Sequence, residues 1–140
     1  MRNGIVLACL LALCCGAHAQ GYPSRPVRLV VGFTPGGGVD INARLLAPKL
    51  SEYLGQPFIV ENRPGAGTNI ANELVAKAAP DGYTLLVNTL PFVTNQFVYD
   101  KMPYDPINDF APISYLSSIA PVLVAHPSLP VNSIKDLIAL

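Results

Sequence analysis

VRLVVGFTPGGG, residues 27–38, joins a short apolar run to a glycine-rich turn and decides how the rest of the chain is interpreted. β-branched residues dominate the run. It is continuously apolar from Leu29 to Val31, which favours a strand buried on both faces of a sheet. After the glycines, apolar residues follow one another in steps of four and three positions, as on one face of a helix. That predicted helix face consists of Val39, Ala43, Leu46, Leu50 and Tyr53.

Three residues shape the expectation for this helix. Gly55 is expected to end it, because glycine accepts the left-handed conformation common at helix ends. Pro48 lies inside it and lacks a backbone donor, at a cost of about 3 kcal/mol, so a kink or a split is expected there. Asp40, at the helix start, suits either a general base or a helix cap, and the cap is the commoner role at that position.

The same unit recurs further along the chain. A second strand is predicted at 57–61, PFIVE, followed by a second glycine-rich turn at 62–67, NRPGAG. A helix is predicted over 69–79 and a third strand over 83–87, YTLLV, whereas 89–112 has weak periodicity. The apolar side of that helix comprises Ile70, Leu74, Val75 and Ala78. Strands alternating with helices predict an α/β fold with right-handed crossovers and a parallel sheet.

The end of the sequence has a different pattern. Residues 113–118 and 122–125 are predicted strands, and Ser133 with Asp136 three positions on predicts a capped helix start. The apolar residues of that helix are Ile134, Leu137 and Ile138. Because Leu140 comes only two turns into the helix, the sequence suggests a first lobe followed by the opening of a second, cut short. Whether the chain is a fragment or a truncated gene product is left open.

The first 19 residues have the pattern of a cleavable secretory signal peptide. Arg2 is followed by an apolar stretch at 5–15, and the A-x-A motif at 17–19 predicts a mature chain that starts at Gln20. A membrane anchor or a buried core helix would need neither Arg2 before the apolar stretch nor the A-x-A motif after it. All three cysteines lie in this leader, so no disulfide or thiolate site is expected in the mature chain. A lipid anchor is disfavoured, because no small residue precedes Cys14 or Cys15.

Composition excludes several classes of function. The chain has nine basic and nine acidic residues, and no basic patch indicates nucleic acid as a partner. His126 is the single histidine after the leader, and it precedes a proline in a turn. Neither a nucleophile elbow nor a metal-spaced cluster is present. The sequence therefore predicts a protein that is not an enzyme and holds no metal or cofactor.

The two glycine-rich turns are the candidate binding elements. In open parallel sheets, ligands bind outside the carboxyl ends of the strands, and each turn follows a strand and opens a helix. Backbone N–H groups and helix N-termini there predict an anion site without Arg or Lys, although plain tight turns remain an alternative. A Rossmann-type nucleotide-binding enzyme is a second alternative. Its fingerprint is incomplete, however, because Ile70 stands where the third Gly or Ala belongs.

Four stretches of the sequence resemble one family. They are 22–67, from YPSRPVRLVV to ENRPGAG, then AKAAPDGYTLLV at 76–87, YDPINDFAPIS at 104–114 and HPSLPVNSIKDLIAL at 126–140. The chain resembles the Bug family, the extracytoplasmic solute receptors of tripartite tricarboxylate transporters, whose members run to roughly twice this length. The resemblance covers essentially the whole chain after the leader.

This resemblance implies a periplasmic-binding-protein-like (type II) fold of two lobes. Lobe one would extend over 20–112, and 113–140 would form the crossover and the start of lobe two, after the signal peptide at 1–19. It implies a periplasmic receptor that closes on a small carboxylate, a di- or tricarboxylate or an amino acid, and delivers it to the membrane permease subunits of the transporter. An inactive truncated receptor is a further alternative.

The resemblance also implies where the carboxylate is held. Backbone amides and ordered waters of the two glycine-rich turns would bind it, and the polar turn after the third strand would add side-chain contacts. Carried onto this sequence, the implied ligand-binding residues are Phe33, Thr34, Pro35, Gly36, Gly37, Gly38, Asp40, Gly65, Ala66, Gly67, Thr68, Asn69, Asn88 and Thr89. The turn that contains Asn88 and Thr89 differs from the small, hydroxyl-rich turn common in the family.

Overall fold

The structure is a computed structural model that describes residues 21–118 and 122–140. Its strands are β1 (Val27–Val31), β2 (Phe58–Asn62) and β3 (Thr84–Val87). Its α-helices are α1 (Gly38–Leu54), α2 (Asn69–Ala76), α3 (Pro91–Thr94) and α4 (Ile134–Ala139), with 3-10 turns at Ala66–Thr68 and Asn95–Phe97. The predicted leader and the predicted mature start at Gln20 lie outside the described residues. Among the residues described, no helix is long and apolar enough to cross a bilayer.

The three strands form one parallel sheet in the order β2-β1-β3. The central strand β1 is almost fully buried, with Val27, Val30 and Val31 at 0% exposure and Leu29 at 2%. Its continuous apolar run is explained by this position, because a central parallel strand is covered on both faces. The predicted α/β alternation with a parallel sheet is therefore confirmed.

Helix α1 packs on the sheet through a face that differs from the predicted one. Its buried residues are Val39, Asp40, Ala43 and Ala47, whereas Tyr53 is 82% exposed. Steps of four positions place Ala43 and Ala47 at the centre of the face, and Tyr53 lies about a quarter turn away from it. The prediction of a buried Tyr53 was therefore wrong.

Pro48 does not split α1, which runs without interruption over 17 residues. The proline lies on the exposed side of the helix, and tertiary contacts hold the backbone on either side of it. Ser51 Oγ donates to the Ala47 carbonyl at 2.8 Å and accepts from the Phe58 amide at 2.9 Å, which ties this turn to the start of β2. The expected split at Pro48 was wrong, because packing outweighs the lost hydrogen bond.

Helix α2 is shorter than predicted and buries small and polar residues. Ala71 and Asn72 are buried, but Ile70 is 49% exposed, contrary to the predicted apolar side. The reason is a close approach to Gly32, where an added Cβ would lie 2.8 Å from the Thr68 Cβ and 3.3 Å from the Ala71 Cβ. Small side chains are needed at such a contact, so large apolar ones face away from it.

The segment before β1 clamps onto the loop before β3. Tyr22 Oη donates to the Gly82 carbonyl at 2.7 Å, and the Tyr22 and Tyr83 rings meet edge to face at 5.2 Å. Arg25 bonds the Asp81 carboxylate at 2.9 Å and lies 4.1 Å above the centre of the Tyr83 ring. The first described residues are thereby fixed at the amino ends of the strands, away from both glycine-rich turns.

The predicted strands at 113–118 and 122–125 are not formed. Both segments are exposed and have no regular secondary structure, and within the described residues neither pairs with another strand. An extended segment becomes a strand only when a neighbour accepts its hydrogen bonds, and the described chain supplies none here. The helix start predicted at Ser133 is confirmed, because Ser133 Oγ accepts from the Asp136 amide at 3.2 Å.

One buried carboxylate joins the first turn to both β2 and α1. Asp40 is 1% exposed, and its Oδ2 accepts from the Gly36 amide at 2.8 Å and from Arg44 Nε at 2.9 Å. Its Oδ1 accepts from Asn62 Nδ2 at 2.8 Å, and the same amide group donates to the Phe33 carbonyl at 3.0 Å. We call this set of contacts the Asp40 latch.

The latch keeps the Asp40 carboxyl ionised well into acid. Hydrogen bonds from the Arg44 guanidinium, then from the Gly36 amide and Asn62, lower the pKa of Asp40 from 3.8 to about 2. A lowered pKa in the folded state means that the charged form stabilises the fold. That stabilisation is fully present above pH 3.8 and is lost as the pH falls through 2.

Replacement of Asp40 by Asn tests the latch. Asp40→Asn puts an amide where two donors converge, so we expect a lower urea midpoint at neutral pH. We also expect a weaker loss of stability between pH 4 and pH 2, measured by urea unfolding followed by circular dichroism. Glu52→Gln, on the exposed side of the same helix, is the matched control. Equal pH profiles for Asp40→Asn and the unaltered chain would contradict the latch.

Pro48 offers a second test of the fold. Pro48→Ala restores a backbone donor opposite the Arg44 carbonyl within an intact, exposed helical turn. We expect the variant to unfold at higher urea concentration, with a gain of up to about 3 kcal/mol in the free energy of unfolding. Lys49→Ala, at the next exposed position, should change the urea midpoint much less. A destabilised Pro48→Ala would show that the backbone is bent to suit the proline.

Candidate functional site

The carboxyl ends of the three strands lie side by side. Val31, the last residue of β1, pairs with Asn62 of β2 and Val87 of β3, so all three strands end at the same level. The first glycine-rich turn therefore leaves from the centre of this edge. The second turn lies on one side of it, and the turn with Asn88 and Thr89 lies on the other. This is the position at which parallel sheets bind ligands.

The first turn presents backbone amides to solvent. Thr34, Pro35, Gly36 and Gly38 are exposed, whereas Phe33 is half-buried and packs against the core. Gly36 has φ +84°, a conformation that favours glycine, and its amide is bonded to Asp40. The next amides, in the first turn of α1, have no intrahelical acceptor, as at any helix N-terminus. They are the groups here that an anion would meet.

Asp40 faces inward, which separates its role from that of the turn it supports. Both of its oxygens are engaged by protein donors, and the side chain is buried. Asp40 is the third residue of α1, and its carboxylate accepts from the Gly36 amide before the helix. Asp40 therefore fixes the turn, and it does not occupy the N-cap position. The N-cap residue, Gly37, makes no side-chain cap.

The second turn has an unusual backbone. Four consecutive residues have positive φ, with Gly65 at +131°, Ala66 at +46°, Gly67 at +59° and Thr68 at +81°. Gly65, Ala66 and Gly67 are exposed, whereas Thr68 is 6% exposed. The Thr68 amide is bonded to the Gly65 carbonyl at 3.0 Å. The exposed part of this turn therefore offers the amides of Ala66 and Gly67.

The side chains of Thr68 and Asn69 point into the protein. Asn69 Oδ1 accepts from Asn95 Nδ2 at 2.7 Å, and Thr68 Oγ1 accepts from Asn72 Nδ2 at 3.2 Å. Neither Thr68 nor Asn69 presents its side chain to solvent. Their contribution to a site there is through the backbone.

The third turn lies against a cavity of about 680 Å³. Asn88 and Thr89 line it together with Val39 and Asn42 of α1 and the segment 114–118. Asn88 is exposed and Thr89 is half-exposed, so both side chains are available at its wall. The structure thus brings the third turn to the start of α1. The residues of the two glycine-rich turns do not line this cavity.

The charged groups at this sheet edge are paired with one another. Arg44 is bonded to Asp40, and Arg63 forms an ion pair with Glu61. The hydrogen bond from Arg28, more than that from Arg63, lowers the pKa of Glu61. A carboxylate that approached the edge would meet backbone dipoles rather than an unpaired guanidinium. In 21–118 and 122–140, no group of three His, Cys, Asp or Glu side chains is arranged to hold a metal ion.

Sequence reasoning did not single out Asn62. Its Nδ2 bonds both the Phe33 carbonyl and Asp40, and its Oδ1 accepts from Arg44 Nη2 at 2.9 Å. An asparagine at the end of a strand carries no pattern that marks this bridging role. The parallel register, which places Asn62 beside the end of β1, is what produces it.

Comparison with known proteins finds relatives that are similar to this chain in sequence and in structure. BugT of Bordetella pertussis is 42% identical over 123 residues, which cover 86% of this chain and 38% of that protein. The structure is similar to R. palustris Rpa4515 with adipate, at 43% identity and a TM-score of 0.70, over 84% of this chain and 40% of that one. It is also similar to MatC from Rhodopseudomonas palustris with bound malate, at 42% identity and a TM-score of 0.65. This match covers 68% of this chain and 33% of that one.

The chain spans about two fifths of the length of the curated relatives that it matches. Its structural neighbours are periplasmic binding proteins, so the fold is that of a periplasmic-binding-protein lobe with a parallel sheet. The family model for the tripartite tricarboxylate transporter family receptor matches residues 42–140, which is most of the chain. The chain therefore belongs to the tripartite tricarboxylate transporter receptor family.

Proposed function

We propose that this chain forms the carboxylate-binding lobe of a periplasmic solute receptor. The ligand is a di- or tricarboxylate or an amino acid, and the receptor hands it to the membrane permease subunits of a tripartite transporter. The observation that carries the proposal is the pair of amide-presenting turns, which leave adjacent strands at one level of the sheet. The solved neighbours with adipate and malate support a carboxylate as ligand.

The electrostatics of the edge suit a reversible carboxylate site. Exposed N–H groups of the first helical turn and of Ala66 and Gly67 supply partial positive charge without a fixed cation. An unpaired Arg would hold a carboxylate through a stronger, charge-assisted bond and slow its release. A receptor that must deliver its ligand benefits from amides, which bind the anion and also let it go.

Within this site we assign different roles to the implied residues. The turn 33–38 and the turn 65–67 would hold the carboxylate through backbone amides. Asp40, Thr68 and Asn69 would act from below, because their side chains are buried and fully bonded within the protein. Asn88 and Thr89 would contact the body of the ligand from the cavity wall.

A binding role without catalysis is part of this proposal. Family members are receptors, and the exposed groups of the two turns are amides rather than acids, bases or nucleophiles. A periplasmic location agrees with the signal peptide predicted at 1–19. A Rossmann-type enzyme remains the competing function, and a nucleotide response is the observation that would favour it.

Titration with malate, monitored through the backbone amide signals, tests the proposal. We expect millimolar malate or adipate to shift the amides of 38–39 and 66–67, because these N–H groups lose solvent and gain a carboxylate acceptor. The apparent dissociation constant should be weaker than micromolar. Closure of a two-lobed receptor needs contacts from both lobes, and this chain matches only about two fifths of its relatives.

Three comparisons make this titration decisive. The neutral diamide of succinate should leave the same amides unshifted, because it carries no negative charge. NAD and ATP should also leave them unshifted. A clear response to a nucleotide and none to malate, adipate, citrate or glutamate would contradict the receptor proposal and favour the nucleotide-binding enzyme.

Two glycines with similar positive φ angles give a matched pair of variants. Gly36 has φ +84° and Gly55 has φ +72°, and an added Cβ would meet no atom within 4 Å at either position. Gly36→Ala and Gly55→Ala should therefore each lower the free energy of unfolding by about 1 kcal/mol. Only Gly36→Ala should weaken the malate response, by at least about threefold, because Gly55 lies at the opposite end of α1. Equal malate responses would place the ligand away from the first turn.

A further inference from the structure

Five polar side chains form one buried hydrogen-bond network beneath the second glycine-rich turn. They are Thr68, Asn69, Asn72, Asn95 and Tyr104, each between 1% and 6% exposed. Among the described residues, every buried side-chain nitrogen and oxygen has a hydrogen-bond partner. A fully satisfied network holds its members in one arrangement, since any displacement leaves a buried polar atom unpaired.

Two members of the network come from the segment after β3, and they reach across to the second turn and to the start of α2. Asn95 Nδ2 donates to the Gly67 carbonyl and to Asn69 Oδ1, both at 2.7 Å. The Tyr104 hydroxyl accepts from Asn72 Nδ2 at 2.8 Å and lies 2.9 Å from the Phe92 carbonyl. The contacts with Gly67, Asn69 and Asn72 join positions 26 to 32 residues apart in the sequence.

The second turn needs such support, because its backbone is strained. Ala66 and Thr68 carry a Cβ and yet have positive φ, a conformation that costs free energy for residues other than glycine. At Gly67, between them, an added Cβ would lie 2.9 Å from the Tyr99 hydroxyl, so Tyr99 would have to shift. A strained turn of this kind persists only when the surrounding structure holds it.

We infer that Asn95 and Tyr104 are positioning residues, which hold the second glycine-rich turn in its left-handed conformation. They fix the turn from below while its exposed amides stay free. The turn after β2 and the segment after β3 would then move as one unit. The consequence for ligand binding rests on the proposed function, but the positioning itself can be measured without any ligand.

Tyr104 allows the hydroxyl to be removed with little other change. Its ring stacks on Phe92 at 5.7 Å and meets Phe110 edge to face at 5.8 Å. Burial raises the pKa of Tyr104, so the hydroxyl stays protonated at neutral pH and can donate. Tyr104→Phe keeps the ring contacts and deletes only the hydrogen bonds. Asn95→Ala removes both contacts to the second turn at once.

Hydrogen exchange of backbone amides in the full chain is the test. The amides of Thr68 and Asn69 are bonded inside the turn to the Gly65 and Ala66 carbonyls, so their exchange rates report on the turn itself. In Tyr104→Phe and Asn95→Ala we expect these two amides to exchange at least about tenfold faster relative to the Val30 amide of β1, which reports on global unfolding. A general loss of stability would speed all three by the same factor.

Two neighbouring substitutions serve as matched controls. Gln96→Ala removes the exposed amide side chain next to Asn95. The Gln96 amide bonds only the nearby Val93 carbonyl. Tyr53→Phe removes a hydroxyl from a tyrosine that is 82% exposed. Neither should change the exchange of Thr68 or Asn69 relative to Val30.

Each outcome bears on the inference. Selective acceleration at Thr68 and Asn69 supports it, whereas unchanged rates, or equal acceleration of turn and strand, overturn it. If Asn95→Ala unfolds the chain, the milder Tyr104→Phe still decides. A malate titration of the unaltered chain separates the two proposals, because selective acceleration without any malate response would contradict the proposed function and leave the positioning role intact.

Discussion

The hydrogen bonds of the Asp40 carboxylate are the constraint on which the arrangement of this edge depends. One buried anion accepts from the Gly36 amide, from Arg44 and from Asn62, and thereby ties the first turn, its helix and the neighbouring strand to one point. Without this anion, the Gly36 amide, Arg44 and Asn62 would each lose an acceptor. This internal carboxylate occupies the amide of Gly36, so the next amides, at the start of α1, are the ones left for a ligand.

Most of the layout of the fold could be predicted from the sequence, because short-range patterns determine it. The apolar run of β1, the glycines after it and the Ser133 cap each carry a local signal, and all three are confirmed. The errors arose where distant contacts outweigh local preference. Pro48 is held in a continuous helix by Ser51 and Phe58, and Ile70 is exposed because Ala71 and Thr68 occupy the space at Gly32.

The location of the candidate site could be predicted from the sequence, but the buried residues that hold its turns in place could not. Glycine-rich turns that follow parallel strands lie at a predictable edge, so the candidate turns could be named from residue type alone. Asn62, Asn95 and Tyr104 carry no such pattern, since their partners are 12 to 35 positions away and depend on strand register. The inward direction of Asp40 was equally hidden, because a carboxylate near a helix start can face either way.

The unpaired strand edges have a consequence for behaviour at high concentration. Within the described residues, β2 and β3 each pair with β1 alone, and the apolar segments around Tyr115 and Val124 are exposed. Open backbone donors and acceptors beside apolar side chains favour association between chains. A formal net charge of zero provides little repulsion to oppose it. The open edges of β2 and β3 therefore favour association of this chain at high concentration, which dilution would delay.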